Sequence, residues 1–474
     1  MPDLLDTLRG LLGPDRVFAD PADRRLYAYD GTPLLRRPPA AAVAPRDAAD
    51  VAALLEAANA EGFGLVPRGA GTGLAGSAVP FDEAEGEGRP CVVLLFPGWD
   101  AIEEIDEENL TAWVQPGVVT QALHAAAEAR GLFYPPDPGS QRICTLGGNV
   151  AQNSGGLRGL KYGVTGDYVM GIEGVLATGE RFAVGGKNVK DVAGYDLKRL
   201  LVGSEGTLGV FTRLLVRLIP RPRATRTLLA AYPRATDGAA TVAAIIAARI
   251  IPSTLEFVDR VTINCVEDYA RIGLPREAES LLLMETDGHP AQVAEEADAM
   301  AAIARAHGAA TVEVAASEAD AERLKTARRM AFSALARLKP TTVLEDVTVP
   351  RSELAGMVAE AQAIAARHGL LMGTFGHAGD GNLHPTFLCD ERDADEMRRL
   401  HHALDALFEA AVRRGGTITG EHGVGIAKRP FFARHADAGT LALTRRVRAA
   451  VDPNGVLNPG KVLLPGVPSE ALVV

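Results

Sequence analysis

A helical pattern of apolar positions runs over 46–61, where Asp47-Ala48-Ala49-Asp50-Val51-Ala52-Ala53-Leu54-Leu55 sets one face of a 3.6-residue repeat against a polar one. A short strand, Gly64-Leu65-Val66, follows and opens into a glycine-dense loop. Continuous apolar runs predict a second strand, Cys91-Val92-Val93-Leu94-Leu95-Phe96, and a third near Thr111-Ala112-Trp113-Val114 that leads into a helix over 119–130. Strands and helices keep alternating until Arg213-Leu214-Leu215-Val216-Arg217-Leu218-Ile219, after which Pro220 and Pro222 punctuate the chain. From about 224 to 414 the texture changes to long Ala-rich helices (237–250, 291–307, 318–338, 351–368 and 391–414) divided by strands such as Ser280-Leu281-Leu282-Leu283-Met284-Glu285. The last sixty residues hold a glycine-rich loop, a helix near 439–450 and the terminator Asp452-Pro453-Asn454-Gly455, and read as a small appended unit. The expected class is α+β, in three parts: 1–220, 221–414 and 415–474. At 474 residues the chain exceeds what one core organises.

Composition narrows the function classes. The net charge of -11 is spread along the chain with no Lys/Arg-rich block, which argues against a nucleic-acid partner. Cys91, Cys144, Cys265 and Cys389 are isolated, so the common iron–sulfur and cysteine-zinc spacings are excluded and reduced thiols are expected. The N-terminus lacks a basic and apolar leader, and no run approaches 18 apolar residues. We therefore expect a cytoplasmic protein without a transmembrane segment, brought to the inner membrane, if at all, through a partner.

Gly71-Thr72-Gly73-Leu74-Ala75-Gly76 matches GxGxxG, but a dinucleotide fingerprint must open a helix, and Ser77-Ala78-Val79-Pro80 and then a strand follow here. What remains is a strand-to-strand loop, Pro67-Arg68-Gly69-Ala70-Gly71-Thr72-Gly73-Leu74-Ala75-Gly76-Ser77, whose bare backbone can aim N–H groups at a pyrophosphate. A second glycine-rich tract runs from Pro135-Pro136-Asp137-Pro138-Gly139-Ser140 through Thr145-Leu146-Gly147-Gly148-Asn149-Val150-Ala151-Gln152-Asn153-Ser154-Gly155-Gly156 to Lys161-Tyr162-Gly163-Val164-Thr165-Gly166-Asp167. Small, polar residues of this kind suit a flat aromatic ligand lying close to the main chain.

The second chemical signal is histidine. Asp380-Gly381 reads as a two-residue turn between Leu370–His377 and Asn382–Phe387, a register that would set His377 opposite His384 with Cβ atoms roughly 5 Å apart. Two imidazoles so placed can share one metal ion at about 2.0–2.1 Å each. In Gly415-Gly416-Thr417-Ile418-Thr419-Gly420-Glu421-His422-Gly423-Val424-Gly425 a carboxylate and a histidine are adjacent, and in extended backbone they would point opposite ways, one to a metal and one to a substrate.

The loop 67–77, the tract 135–167 and Leu201-Val202-Gly203-Ser204-Glu205-Gly206-Thr207-Leu208-Gly209-Val210 resemble the FAD domain of the vanillyl-alcohol-oxidase-type flavoproteins, in the branch of bacterial D-lactate dehydrogenases and glycolate oxidase FAD subunits. The resemblance covers about 40 to 465. It implies a two-subdomain FAD-binding domain, a cap domain with an antiparallel sheet, and a small helical C-terminal segment that completes the active site. It further implies that 68–77 cradles the pyrophosphate, that 137–167 lines the isoalloxazine and ribityl chain, and that Glu205-Gly206 approaches the adenosine. Carried over position by position, the implied cofactor contacts are Arg68, Gly69, Ala70, Gly71, Thr72, Gly73, Leu74, Gly76, Ser77, Pro136, Asp137, Pro138, Thr145, Gly147, Gly148, Asn149, Ala151, Asn153, Ser154, Gly155, Gly163, Thr165, Asp167, Glu205, Gly206, Val210 and Asn458. The first glycine loop contains no His or Cys that could tether a flavin, so FAD is expected to bind non-covalently.

The same resemblance extends to Gly376-His377-Ala378-Gly379-Asp380-Gly381-Asn382-Leu383-His384 and Gly420-Glu421-His422-Gly423. It implies that His377, His384 and Glu421 ligate a divalent metal, commonly zinc, that His422 is the base, and that Arg328 grips the substrate carboxylate. On its own sequence, Arg328 with Arg329 is equally readable as a solvated helix face. Phe332 and Leu344 stand where relatives specific for 2-hydroxyglutarate carry a threonine and a lysine, which favours a small D-2-hydroxy acid such as D-lactate or glycolate. With no cysteine relay of its own, the chain needs an electron acceptor: an iron–sulfur subunit, an electron-transfer flavoprotein or a quinone. A D-2-hydroxyglutarate dehydrogenase and a zinc hydrolase using the same His/His/Glu set stay open as alternatives, and so does a homodimer.

Overall fold

The computed structural model describes residues 4–81 and 89–464. Its first part is built on two sheets. In the smaller one, the strands Val17–Phe18, Ala41–Val43, Cys91–Leu95 and Gly64–Arg68 lie in that order, the last three mutually parallel. The parallel strands are apolar on both faces because both faces are covered. The helix Ala48–Glu61 makes the crossover; the Asp47 side chain caps its N-terminus and Gly62, at φ 79°, ends it in the left-handed region that a side chain would strain. Its Val51, Leu54 and Leu55 pack on Leu65, Val92 and Leu94. The second sheet is antiparallel, in the order Ile102–Asp106, Thr111–Val114, Val210–Arg217, Val169–Val175, Arg181–Gly185, and the helices Thr120–Glu128 and Leu146–Gln152 bury Leu123, Leu146 and Val150 against it.

The second part is one larger antiparallel sheet, in the order Thr311–Val314, Ala224–Tyr232, Ser280–Gly288, Thr254–Asp259, Leu371–Gly376, Asn382–Cys389, Thr341–Leu344, with Val347–Thr348 also paired to Asn382–Cys389. Helices cover both faces. Along Ala224–Tyr232, Leu228, Ala230 and Tyr232 enter the core beneath Ala235–Ala247, Pro290–Ala306 and Leu354–Arg367, while Leu229 and Ala231 enter the core under Arg260–Ala270 and Glu318–Arg329. Side chains alternate across a strand, so a strand buried on both sides reads as an unbroken apolar run. The helix expected over 318–338 is two helices, Glu318–Arg329 and Ala331–Leu335, meeting at Met330.

The last segment does not stand alone. Leu65 N–H donates to Val456 O at 2.8 Å and Asn458 N–H to Leu65 O at 2.7 Å, and Val456 and Leu457 are buried in the core of the smaller sheet. The two parts are further joined where Lys161 Nζ and Tyr162 Oη reach the Asp287 carboxylate at 2.5 and 2.8 Å. No helix among the described residues is long and apolar enough to cross a membrane.

Candidate active site

A cleft of about 1430 Å³ lies where the sheets of the first part face the larger sheet. Ligand pockets for drug-sized molecules run to about 1,000 Å³, so this one has room for a dinucleotide and a small second ligand.

Loop 68–77 enters the cleft at the C-terminal end of Gly64–Arg68, the end at which parallel strands present ligand-binding loops. Gly71 sits at φ 69°, and a Cβ there would lie 2.1 Å from the Arg68 guanidinium; one on Gly73 would meet nothing nearer than Asp30 at 3.8 Å, so that position faces open space. Arg68 is buried beneath its own loop and donates to Tyr29 O at 2.6 Å. The second tract braces itself: Thr145 Oγ1 accepts from Gly148 N–H, Asn153 Oδ1 from Gly166 N–H, and Ser154 O from the Thr165 hydroxyl. Gln152 lines the cleft with its buried Oε1 unpartnered, an acceptor left for a ligand. Open glycines, cleft size and a free buried acceptor fit a flavin dinucleotide.

Of the expected cofactor positions, Arg68 to Leu74, Ser77, Asp137, Pro138, Thr145, Gly147, Gly148, Asn149, Ala151, Ser154, Glu205 and Gly206 line the cleft. Gly76, Pro136, Asn153, Gly155, Gly163, Thr165, Asp167, Val210 and Asn458 stand outside the lining. Several of these shape it from behind: Pro136 O is bonded by His124 Nε2 at 2.8 Å, and Asn458 Nδ2 joins Ser77 O to Glu205 O at 2.9 and 2.6 Å. The Glu205 carboxylate itself accepts from the Ser77 hydroxyl and from the N–H groups of Val424 and Gly425 at 2.5, 2.8 and 2.7 Å, and so ties the C-terminal loop to the first glycine loop.

The hairpin carrying the histidines has a different register from the one its sequence suggests. Phe375, not His377, pairs with His384; residues 378–380 form a single 3₁₀ turn and Gly381 takes φ 76°. The five-residue connection lifts His377 off the ladder, yet the rings of His377 and His384 still meet edge to face with centroids 5.3 Å apart. Nor is the Glu421-His422 segment extended. The N–H groups of Gly420, Glu421 and His422 and the Thr419 hydroxyl all converge on Asp346 Oδ2 at 2.7–3.0 Å, which curls the loop into a nest around one buried carboxylate. Glu421 thereby reaches both histidines, its Oε1 lying 3.1 Å from His377 Nε2 and 3.3 Å from His384 Nε2. His422 stacks on His384, centroids 5.1 Å apart and planes 4° from parallel.

These three atoms suit a metal. Ligands at about 2.0–2.1 Å in tetrahedral array lie about 3.3 Å from one another, close to the spacings observed. Asp346, His384 and His422 form a second such group that shares His384. Without an ion, burial disfavours the charged form of His377, but Glu256 and Glu421 outweigh it and hold the imidazole well above its ordinary value. Burial pushes His422 down to about 4 against the opposing pull of Asp346, so its ring is neutral near pH 7. Arg328 lies on the buried end of its helix, donates from Nε to Glu256 Oε2 at 2.5 Å, and stacks over Phe375 at 4.6 Å, lining the cleft with His377, His422, Phe332 and Leu344. Arg329, one residue on, also lines the cleft but is exposed and pairs with Glu322 at 2.5 Å, so of the two arginines only Arg328 is buried.

Two residues at this site escape a reading of motifs: Glu256 and Asp346, each fully buried. The signal at Glu256 is a lone acid in an apolar strand, Leu255-Glu256-Phe257-Val258, and at Asp346 an acidic pair between two short strands, Leu344-Glu345-Asp346-Val347, and a buried carboxylate requires partners.

Known proteins agree with this architecture. Residues 39–185 match the FAD binding domain family and 221–462 the C-terminal domain of FAD linked oxidases. The chain is 50% identical over 460 residues to the glycolate oxidase subunit GlcD of Bacillus subtilis, covering 97% of this chain and 96% of that one. It is 36% identical over 445 residues to a D-lactate dehydrogenase of Archaeoglobus fulgidus, covering 92% and 95%. Among solved structures, 4-ethylphenol oxidase from Gulosibacter chungangensis superposes with a TM-score of 0.79 at 19% identity, and p-cresol methylhydroxylase with 0.78 at 18%, each over 97% of this chain and 96% of the other. The fold is that of the vanillyl-alcohol-oxidase type, and the chain belongs to the FAD-linked oxidase family as an FAD-dependent oxidoreductase.

Proposed function

We propose that this enzyme is a dehydrogenase of small D-2-hydroxy acids, D-lactate or glycolate, and forms the 2-oxo acid. The observation that carries the reading is one wall of the flavin cleft on which Arg328, His422 and the His377/His384/Glu421 triad stand together. Non-covalently bound FAD supplies the hydride acceptor, and a divalent metal such as zinc, held by His377, His384 and Glu421, supplies Lewis acidity toward the substrate hydroxyl. Arg328, fixed through its Nε, offers its terminal nitrogens to the substrate carboxylate. His422, neutral and half-buried, takes the hydroxyl proton as the Cα hydride leaves. Phe332 and Leu344 line the substrate end with apolar side chains that offer a second carboxylate no partner. The electrons then pass to a partner protein or quinone, in keeping with the name of the B. subtilis relative, a glycolate oxidase subunit.

The test is anaerobic mixing of the holoenzyme with D-lactate, L-lactate, glycolate and D-2-hydroxyglutarate. Bleaching of the flavin band near about 450 nm by D-lactate or glycolate is expected. Fast reduction by D-2-hydroxyglutarate alone, or by none of the four, would sink the assignment.

A further inference from the structure

Glu256 lies at the middle of the strand Thr254–Asp259. Leu255 and Phe257 turn to one core, while Val258 turns to the other, where the helix Glu318–Arg329 packs. Alternation puts Glu256 on Val258's face, toward that helix and the cleft. It is wholly buried and uses one oxygen for each of two partners: Oε1 lies 2.8 Å from His377 Nδ1, and Oε2 accepts from Arg328 Nε at 2.5 Å.

We infer that Glu256 is the positioning residue that couples the metal-binding histidine to the substrate-gripping arginine, fixing the His377 tautomer and the Arg328 orientation at once. This rests on the reading that His377, His384 and Glu421 hold a metal. An ionised carboxylate only accepts, so His377 must carry its proton on Nδ1 and turn the Nε2 lone pair toward His384 and Glu421. Partners of this kind fix the ring and raise the basicity of a metal-ligating histidine. The same carboxylate holds Arg328 by Nε, which leaves both terminal nitrogens without a protein hydrogen bond among the described residues. Metal and carboxylate grip are thus referred to a single rigid strand, and the distance a chelated 2-hydroxy acid must span is set by one side chain.

Glu256→Gln separates this role from mere packing. The Arg328 Nε–H needs an acceptor, so the amide oxygen must face it, and the amide NH₂ then faces His377 Nδ1. That nitrogen must accept, the ring proton moves to Nε2, and the lone pair that would bind metal is lost. Zinc affinity of the FAD-loaded protein, measured by competition with a chromophoric chelator, should fall by about 10- to 100-fold in Glu256→Gln, with flavin content and spectrum unchanged. Glu256→Asp keeps an acceptor and should lose less than about tenfold; it carries the test should the glutamine variant fail to fold. A glutamine variant that binds zinc like the wild type, or an aspartate variant as weak as His377→Ala, overturns the inference. Wild-type protein that binds zinc no better than His377→Ala overturns instead the metal reading beneath it.

Discussion

Around residues 68–77 and 137–156 the cleft wall is made largely of main chain: Gly73 leaves space where a side chain would stand, Gly71 lets the loop close over Arg68, and the polar side chains nearby mostly brace the loops. Across the cleft, on the hairpin and the loop 419–422, the wall is made of side chains, with His377, His384, Glu421 and His422 held by Asp346 and Glu256 behind them. On the proposed reading, the first region recognises by close approach of backbone, the second by charge and lone pairs. They share a cavity and are tied to one another through Glu205, but Asp346 and Glu256, which hold the histidine cluster, do not brace the glycine loops, so each region should be separable by mutation from the other.

The largest effect expected is from His422→Ala, which removes the proposed base and should lower kcat by about 10²–10⁴-fold while the purified protein keeps its full FAD absorbance. Loss of flavin in this variant would break the separation. Dialysis against a chelator, which would remove the proposed metal, should slow flavin reduction by about 100-fold, with FAD retained and activity regained on adding zinc or manganese. The converse change is Gly71→Val. Its positive φ and the 2.1 Å approach to Arg68 leave no place for the side chain. Strain of about 1–3 kcal/mol should weaken FAD binding by roughly ten- to a hundredfold, read by flavin released on gel filtration, while zinc affinity holds.

The smallest effect concerns Asp137 in the backbone region. Burial pushes it up to about 6, opposed by Arg158 at 3.5 Å. The folded state therefore binds this proton more tightly than the unfolded chain, where an aspartate titrates near about 3.9. Its contribution to stability is complete below about pH 4 and is lost as pH rises through about 6. Asp137→Asn should remove this decline, worth on the order of 3 kcal/mol, flattening the unfolding midpoint measured from pH 4 to 7.5; an unchanged pH profile would show that the group titrates normally.

Residues that act through their own chemistry were the legible ones. His377, His384, Glu421 and His422 lie in glycine-dense segments that announce a site, and the structure gathers them even though the hairpin register predicted from Asp380-Gly381 was off. The register failed because Asp380 joins a 3₁₀ turn, so the connection is longer than a two-residue turn. Period-2 and period-3.6 patterns located most long helices and strands of the second part, but the break at Met330 inside 318–338 carries no Gly or Pro to mark it. Glu256 and Asp346 were missed for a different reason. Their partners are 121 and 75 residues away, at His377 and Glu421, and no local spacing encodes such a pairing.

Asn458 holds Ser77 and Glu205 together, and Val456 and Leu457 complete the core beneath the first glycine loop. A ribosome adds these residues long after the glycine loop they support. The binding domain begins early in the chain yet stays unfinished until residues 456–458 have been synthesised, so flavin uptake should wait for them, and chains cut short before residue 456 should accumulate colourless.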